Sequence, residues 1–225
     1  MKNPKDELKT YLETLIFRYL NIKSINNQLS IIAKWQSSDN AYVFRIGSYF
    51  YYLTIFCFRR IVILELCKIL AEREEKSLLD WLCKAEEHAK ALEPSVYQFS
   101  TESRRILEPQ EYKDIIKQQR LEIVKHDRII EILLTRRDKD VAHADRSFFN
   151  KPEKLDQLFP LNDLEIKSLL STLGKILRKQ HSLIIQADIT LEIRTAHNVD
   201  AVLKSVLASE KIWKDRMHLY ESGAP

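Results

Sequence analysis

The run Arg136-Arg137-Asp138-Lys139-Asp140-Val141-Ala142-His143-Ala144-Asp145 gathers cations, carboxylates and an imidazole within ten consecutive residues. Such a set can move a proton and steady a phosphate. Histidine titrates near neutral pH and serves as general acid or base. A guanidinium offers a planar fork of donors to phosphoryl oxygens and stabilises charge growing on them.

The run closes a segment with apolar residues at Tyr112, Ile116, Ile123, Ile130 and Leu133-Leu134. That spacing, close to seven, predicts a bundle helix starting near Glu111. Extending the stripe Ile116, Ile123, Ile130 lands on Arg137, with Leu133 and Val141 one turn to either side. An arginine thus occupies a place the pattern reserves for a buried side chain. Burying a guanidinium is costly unless it is paired or used, and such a breach of the local rule is expected at functional sites. Asp138 is placed to hold it. The competing reading is an amphipathic arginine whose charge reaches water near a helix end. His143, between Ala142 and Ala144, also has two readings: an accessible acid–base group, or a histidine favoured by the dipole at a helix C-terminus. On an ideal helix Arg137 and His143 lie about 120° apart, whereas Arg136, Asp140 and His143 share a face. Using Arg137 with His143 therefore requires two copies of the chain, or a helix that unwinds after Val141.

The elements that must carry this run are helical by composition. Of 225 residues 45% are hydrophobic, enough for one sizeable core or two packed subdomains. With only 3 glycines and 6 prolines, the chain lacks the turn residues of β-sandwiches and doubly wound sheets. It has neither GxxxxGK[ST] nor GxGxxG, which excludes P-loop and dinucleotide enzymes, and no serine nucleophile elbow. The net charge of +4 comes from interleaved cations and acids, so charge alone does not predict tight non-specific nucleic-acid binding.

Cys57, Cys67 and Cys83 lie in apolar helical patterns without CxxC spacing and read as buried thiols of a reducing compartment. No HExxH or paired Cys/His spacing occurs, and no metal is expected. Met1–Asp6 carries no apolar h-region, and the apolar stretch from Ile46 to Phe58, closed by Arg45 and Arg59-Arg60, is shorter than the ~20 residues that span a bilayer. Its aromatics read as core, and a cytoplasmic location is expected.

Along the chain, Pro4 opens a helix running toward Trp35. Ser37–Asn40 is a cluster of turn residues, and a long central helix is expected over about Ala41 to Ala71. Ser77 caps a third helix that ends at Pro94, and a polar loop runs to Pro109. The motif helix follows, broken after Asp145. Pro160 and Asn162-Asp163 introduce a fifth helix through Leu183; residues 186–196 are ambiguous; Asn198 or Asp200 caps a last helix. The expectation is a single all-α domain over 1–225. It comprises long N-terminal helices (1–93), a motif-bearing helical hairpin (111–185) and a C-terminal helix (197–219).

Arg137-Asp138-Lys139-Asp140-Val141-Ala142-His143 resembles the signature of HEPN domains, an Arg and a polar residue followed after a short spacer by His. The Ala-His-x-Asp ending, with the long helical region before it, is most similar to the abortive-infection (Abi-like) branch associated with phage defence. The doubled arginine offers Arg136 or Arg137 as the equivalent residue; Arg137 is taken because Asp138 follows it. The resemblance implies an antiparallel HEPN-like helical bundle that forms a homodimer with two motifs facing one another. It further implies a metal-independent RNA endonuclease needing no cofactor, and an antitoxin or defence partner protein. It gives the catalytic roles to Arg137, His143 and Asp138, and contacts to flanking RNA phosphates to Arg136, Lys139 and Arg146. Two rival readings stand beside it. One is a non-catalytic helical interaction or nucleotide-sensing module, which the modest charge favours. The other is a protein that lies on a membrane surface through Tyr49 to Phe58.

Overall fold

A computed structural model describes residues 3–45, 48–71, 76–98, 100–142, 152–192 and 199–221. The chain divides into two compact units: Met1–Lys23 with Ile61–Glu192, and Ser24–Arg60 with Ile193–Pro225. The architecture is all-α apart from one short hairpin. Among the described residues no helix is long and apolar enough to cross a membrane.

The first unit begins with helix α1 (Pro4–Gln36). Asn3 Oδ1 accepts the amide of Lys5 at 3.0 Å, and Pro4 fills the first helical position, where its missing N–H costs nothing. Leu8, Leu12, Leu15, Tyr19 and Ile22 recur at helical spacing and are all buried. Helix α2 (Ser48–Leu70) contributes its later half, with Leu66, Cys67 and Ile69 buried. As expected, Ser77 caps α3 (Leu78–Glu87) by accepting the amide of Asp80 at 3.1 Å. Tyr11 Oη donates to Ser77 O at 2.6 Å and to Asp80 Oδ2 at 3.0 Å, and Trp81 Nε1 donates to Leu8 O at 2.9 Å, so the start of α3 is fixed on α1.

A one-turn helix α4 (Ala89–Leu92) ends at Glu93, whose left-handed backbone (φ 47°) turns the chain before Pro94. The expected polar loop is instead an antiparallel hairpin, β1 (Ser95–Gln98) with β2 (Ser103–Ile106), in the register Ser95 to Ile106. Pro109 opens α5 (Pro109–Val124), where Glu111 Oε2 accepts the amide of Glu108 at 2.8 Å and Arg105 grips the same carboxylate at 2.8 and 3.1 Å.

After α6 (Asp127–Arg136), a π-helical segment (Arg137–Ala142) and α7 (Pro152–Leu158) comes α8 (Asp163–Ile184). Asn162 caps it, its Oδ1 accepting the amide of Leu164 at 2.9 Å. Eleven residues of α8 are buried, including Gly174, where an added Cβ would stand 2.4 Å from Tyr19 Oη. Only a glycine lets the α1 tyrosine lie so close to the α8 backbone.

The second unit combines the later part of α1, a 3-10 helix (Ala41–Arg45), the first part of α2 and α9 (Val199–Glu221). Val43, Tyr51 and Leu203 form its core, with Trp35, Tyr42, Phe44 and Val206 packed around them. Gln28 Oε1 accepts the first amide of α9 at 2.8 Å, and Trp35 Nε1 donates to Asp200 Oδ1 at 2.8 Å. Two expectations fail here. The continuous helix from Ala41 is replaced by the 3-10 helix followed by α2. The aromatics of α2 are largely not core: Tyr49, Phe50, Tyr52 and Phe56 are exposed. Of the three cysteines Cys67 alone is buried; Cys57 in this unit and Cys83 in the first are exposed.

Candidate functional site

The motif is delivered by two helices in series. The chain does not continue as one helix from α5 into α6 but turns at Lys125-His126, where His126 leaves helical geometry (φ −107°, ψ 11°). The break is tied to α8: His126 Nε2 and Thr172 Oγ1 share a hydrogen bond of 2.9 Å, and Arg128 pairs with Glu165. On α5 the buried side chains Tyr112, Gln119 and Gln180 of α8 form a row, with Tyr112 Oη donating to Gln180 Oε1 at 2.7 Å and Gln180 Nε2 to Gln119 Oε1 at 2.6 Å. Each buried polar group has a partner, which is what makes such a row stabilising.

The break shifts the buried stripe by one residue. On α6 the buried positions are Ile129, Leu133 and Arg136, spaced i, i+4, i+7. The arginine on the apolar stripe is therefore Arg136 and not Arg137. Its side chain is 8% exposed. Nε donates to Phe159 O at 2.6 Å, and one terminal nitrogen donates to Asp156 Oδ1 at 2.6 Å and Leu155 O at 3.5 Å. The guanidinium thus satisfies the Phe159 carbonyl just beyond α7 and shares Leu155 O with the amide of Phe159. The sequence expectation of a phosphate contact for Arg136 meets a group already engaged in the fold.

Arg137 is the more accessible of the pair, 24% exposed, and its Nε donates to Asp138 Oδ1 at 2.9 Å. Asp138 itself is exposed and Lys139 half-buried. At Arg137 the backbone ladder changes from α to π, spanning Arg137–Ala142. Hydrogen bonds in a π segment reach five residues rather than four, and such segments occur often at functional sites. The helix is thus widened from Arg137 onward; the alternative of an unwinding after Val141 falls on residues that, beyond Ala142, lie outside the described ones. His143 and Arg146 lie outside the described residues. The side chains of Asp140, Val141 and Ala142 do as well.

A sequence model of the HEPN AbiU2 family matches residues 43–204, most of the chain. The chain belongs to that family. This HEPN assignment fits the all-helical architecture and puts the protein in the abortive-infection branch. Neither curated proteins nor solved structures gave a match. Within this HEPN chain, Asp156 and the carbonyls of Leu155 and Phe159 are the contacts that sequence reasoning missed. The doublets Ile129-Ile130 and Leu133-Leu134 admit two stripes one residue apart, and nothing local chooses between them. Among the described residues no three His, Cys, Asp or Glu side chains are grouped to hold a metal ion.

Proposed function

We propose that this protein is an endoribonuclease of toxin or abortive-infection type, acting as a homodimer without a metal. The observation that carries the reading is the Arg137–Asp138 pair at the opening of the π segment in a HEPN-family chain. The ribose 2′-hydroxyl attacks the neighbouring phosphorus as the bond to the 5′-oxygen breaks, leaving a 2′,3′-cyclic phosphate and a 5′-hydroxyl. The nucleophile belongs to the substrate, so proximity is built in. His143 takes the proton from the 2′-hydroxyl or returns one to the departing 5′-oxygen. Arg137 faces the charge that grows on the phosphoryl oxygens, and Asp138 fixes the direction of its fork. Lys139 and Arg146 serve flanking phosphates. Arg136 stays with α7 and holds the start of the motif in place.

The purified protein is expected to cleave RNA in EDTA, and His143→Ala to abolish cleavage with the fold intact. Arg137→Ala is expected to slow cleavage by about 10²–10³-fold, the usual cost of losing a donor to developing oxyanion charge. Growth arrest on expression should be relieved by the same substitution. Intact RNA after long incubation with the wild type, or undiminished cutting by the His143 variant, would overturn the assignment. The chain's modest charge of +4 favours one rival, a non-catalytic module that binds a partner protein. A silent wild type that co-purifies with a stoichiometric protein would establish it.

A further inference from the structure

The first half of α2 carries a stripe of apolar side chains that the fold leaves uncovered. Tyr49 is 73% exposed, and Phe50, Tyr52, Leu53 and Phe56 are exposed with it. At helical spacing Tyr49, Tyr52, Leu53 and Phe56 fall on one face, while the buried Tyr51 points to the core of the second unit. A contiguous apolar patch on a folded surface marks an interaction site.

The rings are ordered. Tyr52 and Phe56 are stacked with planes 17° apart and centroids 6.4 Å apart, and the Arg60 guanidinium lies 4.3 Å from the Phe56 centroid. Tyr52, Phe56 and Arg60, each four residues from the next, make a column of flat groups along the helix. The segment itself is one-signed here: between Asp39 and Glu65 the sequence has no acidic residue, whereas Arg45, Arg59 and Arg60 are present. Arg59 is exposed.

We propose that this face is a stacking platform for single-stranded RNA, separate from the Arg137 motif. The proposal rests on RNA being the substrate. Bases have π faces whatever their identity, and aromatic side chains beside cations bind single strands by stacking while the cations meet phosphates. A base on Tyr52 extends the column, and Arg59 meets the backbone. A second copy of the chain fits less well, because a two-fold interface would set this patch on itself and bring arginines together with no carboxylate of the segment between them.

The test uses the full chain carrying His143→Ala, so that binding is read without cutting, and a fluorescent oligouridylate of about 12 nucleotides. Tyr52→Ala and Phe56→Ala are each expected to weaken binding by about tenfold or more, and Tyr52→Trp to retain it. Arg59→Ala should lower the salt dependence by about one phosphate contact. Tyr97→Ala, on the exposed hairpin, should change nothing. Unchanged affinity in the Tyr52 and Phe56 variants overturns the platform. So does a fall in oligomeric mass or a loss of binding to phosphatidylglycerol vesicles in those variants with oligouridylate affinity intact. The platform and the nuclease fail separately. Wild-type cleavage with unchanged variant affinity removes only the platform; ring-dependent binding without wild-type cleavage removes only the nuclease.

Discussion

In the first unit a row of buried polar groups is chained together, whereas in the second a run of aromatic rings stands in solvent. Tyr112, Gln180 and Gln119 pass hydrogen bonds from α5 to α8, and burial pushes the Tyr112 phenol well above its ordinary range, so it remains a donor. Tyr49, Phe50, Tyr52 and Phe56 leave their rings exposed while Val43, Tyr51 and Leu203 suffice for the core beside them. One region is organised for stability. The other keeps surface that stability would not ask for, and a cost borne without a folding return points to use.

Substitutions sharpen the contrast, beginning with the most damaging. Gln180→Leu strands the Tyr112 hydroxyl and the Gln119 carbonyl. At ~1–3 kcal/mol per unsatisfied group this should cost about 3 kcal/mol, or roughly 6–12 °C of melting temperature in a chain of this size. A melting temperature within a degree or two of wild type would mean the row carries little. Gly174→Ala drives a methyl to 2.4 Å from Tyr19 Oη in a site where Tyr19 is buried, an overpacking worth ~1–3 kcal/mol. Adding Tyr19→Phe removes the nearest atom and should restore part of the loss, a coupling read from the double-mutant cycle.

Asp80→Asn comes next, at about 1 kcal/mol near neutrality. Burial pushes the Asp80 carboxyl upward, but hydrogen bonds from Lys84 and Tyr11 outweigh it and hold the group below its ordinary value of 3.8. A carboxylate lowered by folding contributes stability above its ordinary range and loses it as pH falls through the folded value. The melting-temperature gap between wild type and variant should therefore narrow as pH drops below about 4. A gap that stays constant with pH would show that the charge is not what stabilises. Last, Tyr49→Ser in the second unit should leave stability within about 0.5 kcal/mol, since it removes a ring that is already wet. A large loss there would erase the distinction between the units.

What the sequence made legible was local. Asn162 and Ser77 read as caps because a side chain two or three residues from an amide decides them. Pro109 opens α5, and Tyr112, Ile116 and Ile123 form the predicted stripe. The rest depends on distant partners. The hairpin over Ser95–Ile106 is short and mostly polar in sequence, so it resembles a loop in composition. The turn at His126 is fixed by Thr172, 46 residues away, and it moved the buried arginine from Arg137 to Arg136. The Arg137–Asp138 contact was legible because the two residues are adjacent. The exposure of the α2 rings was not, because an apolar helix reads the same whether or not a neighbour covers it.

Arg136 meets Leu155, Asp156 and Phe159, residues 19, 20 and 23 positions further along the chain. One guanidinium therefore fastens both ends of the segment that carries the motif, making it a ring closed without a covalent bond. The entropy of drawing those ends together is already spent in the folded protein and grows only slowly with ring size. A single proteolytic nick within the ring would leave both new ends tethered to the same body.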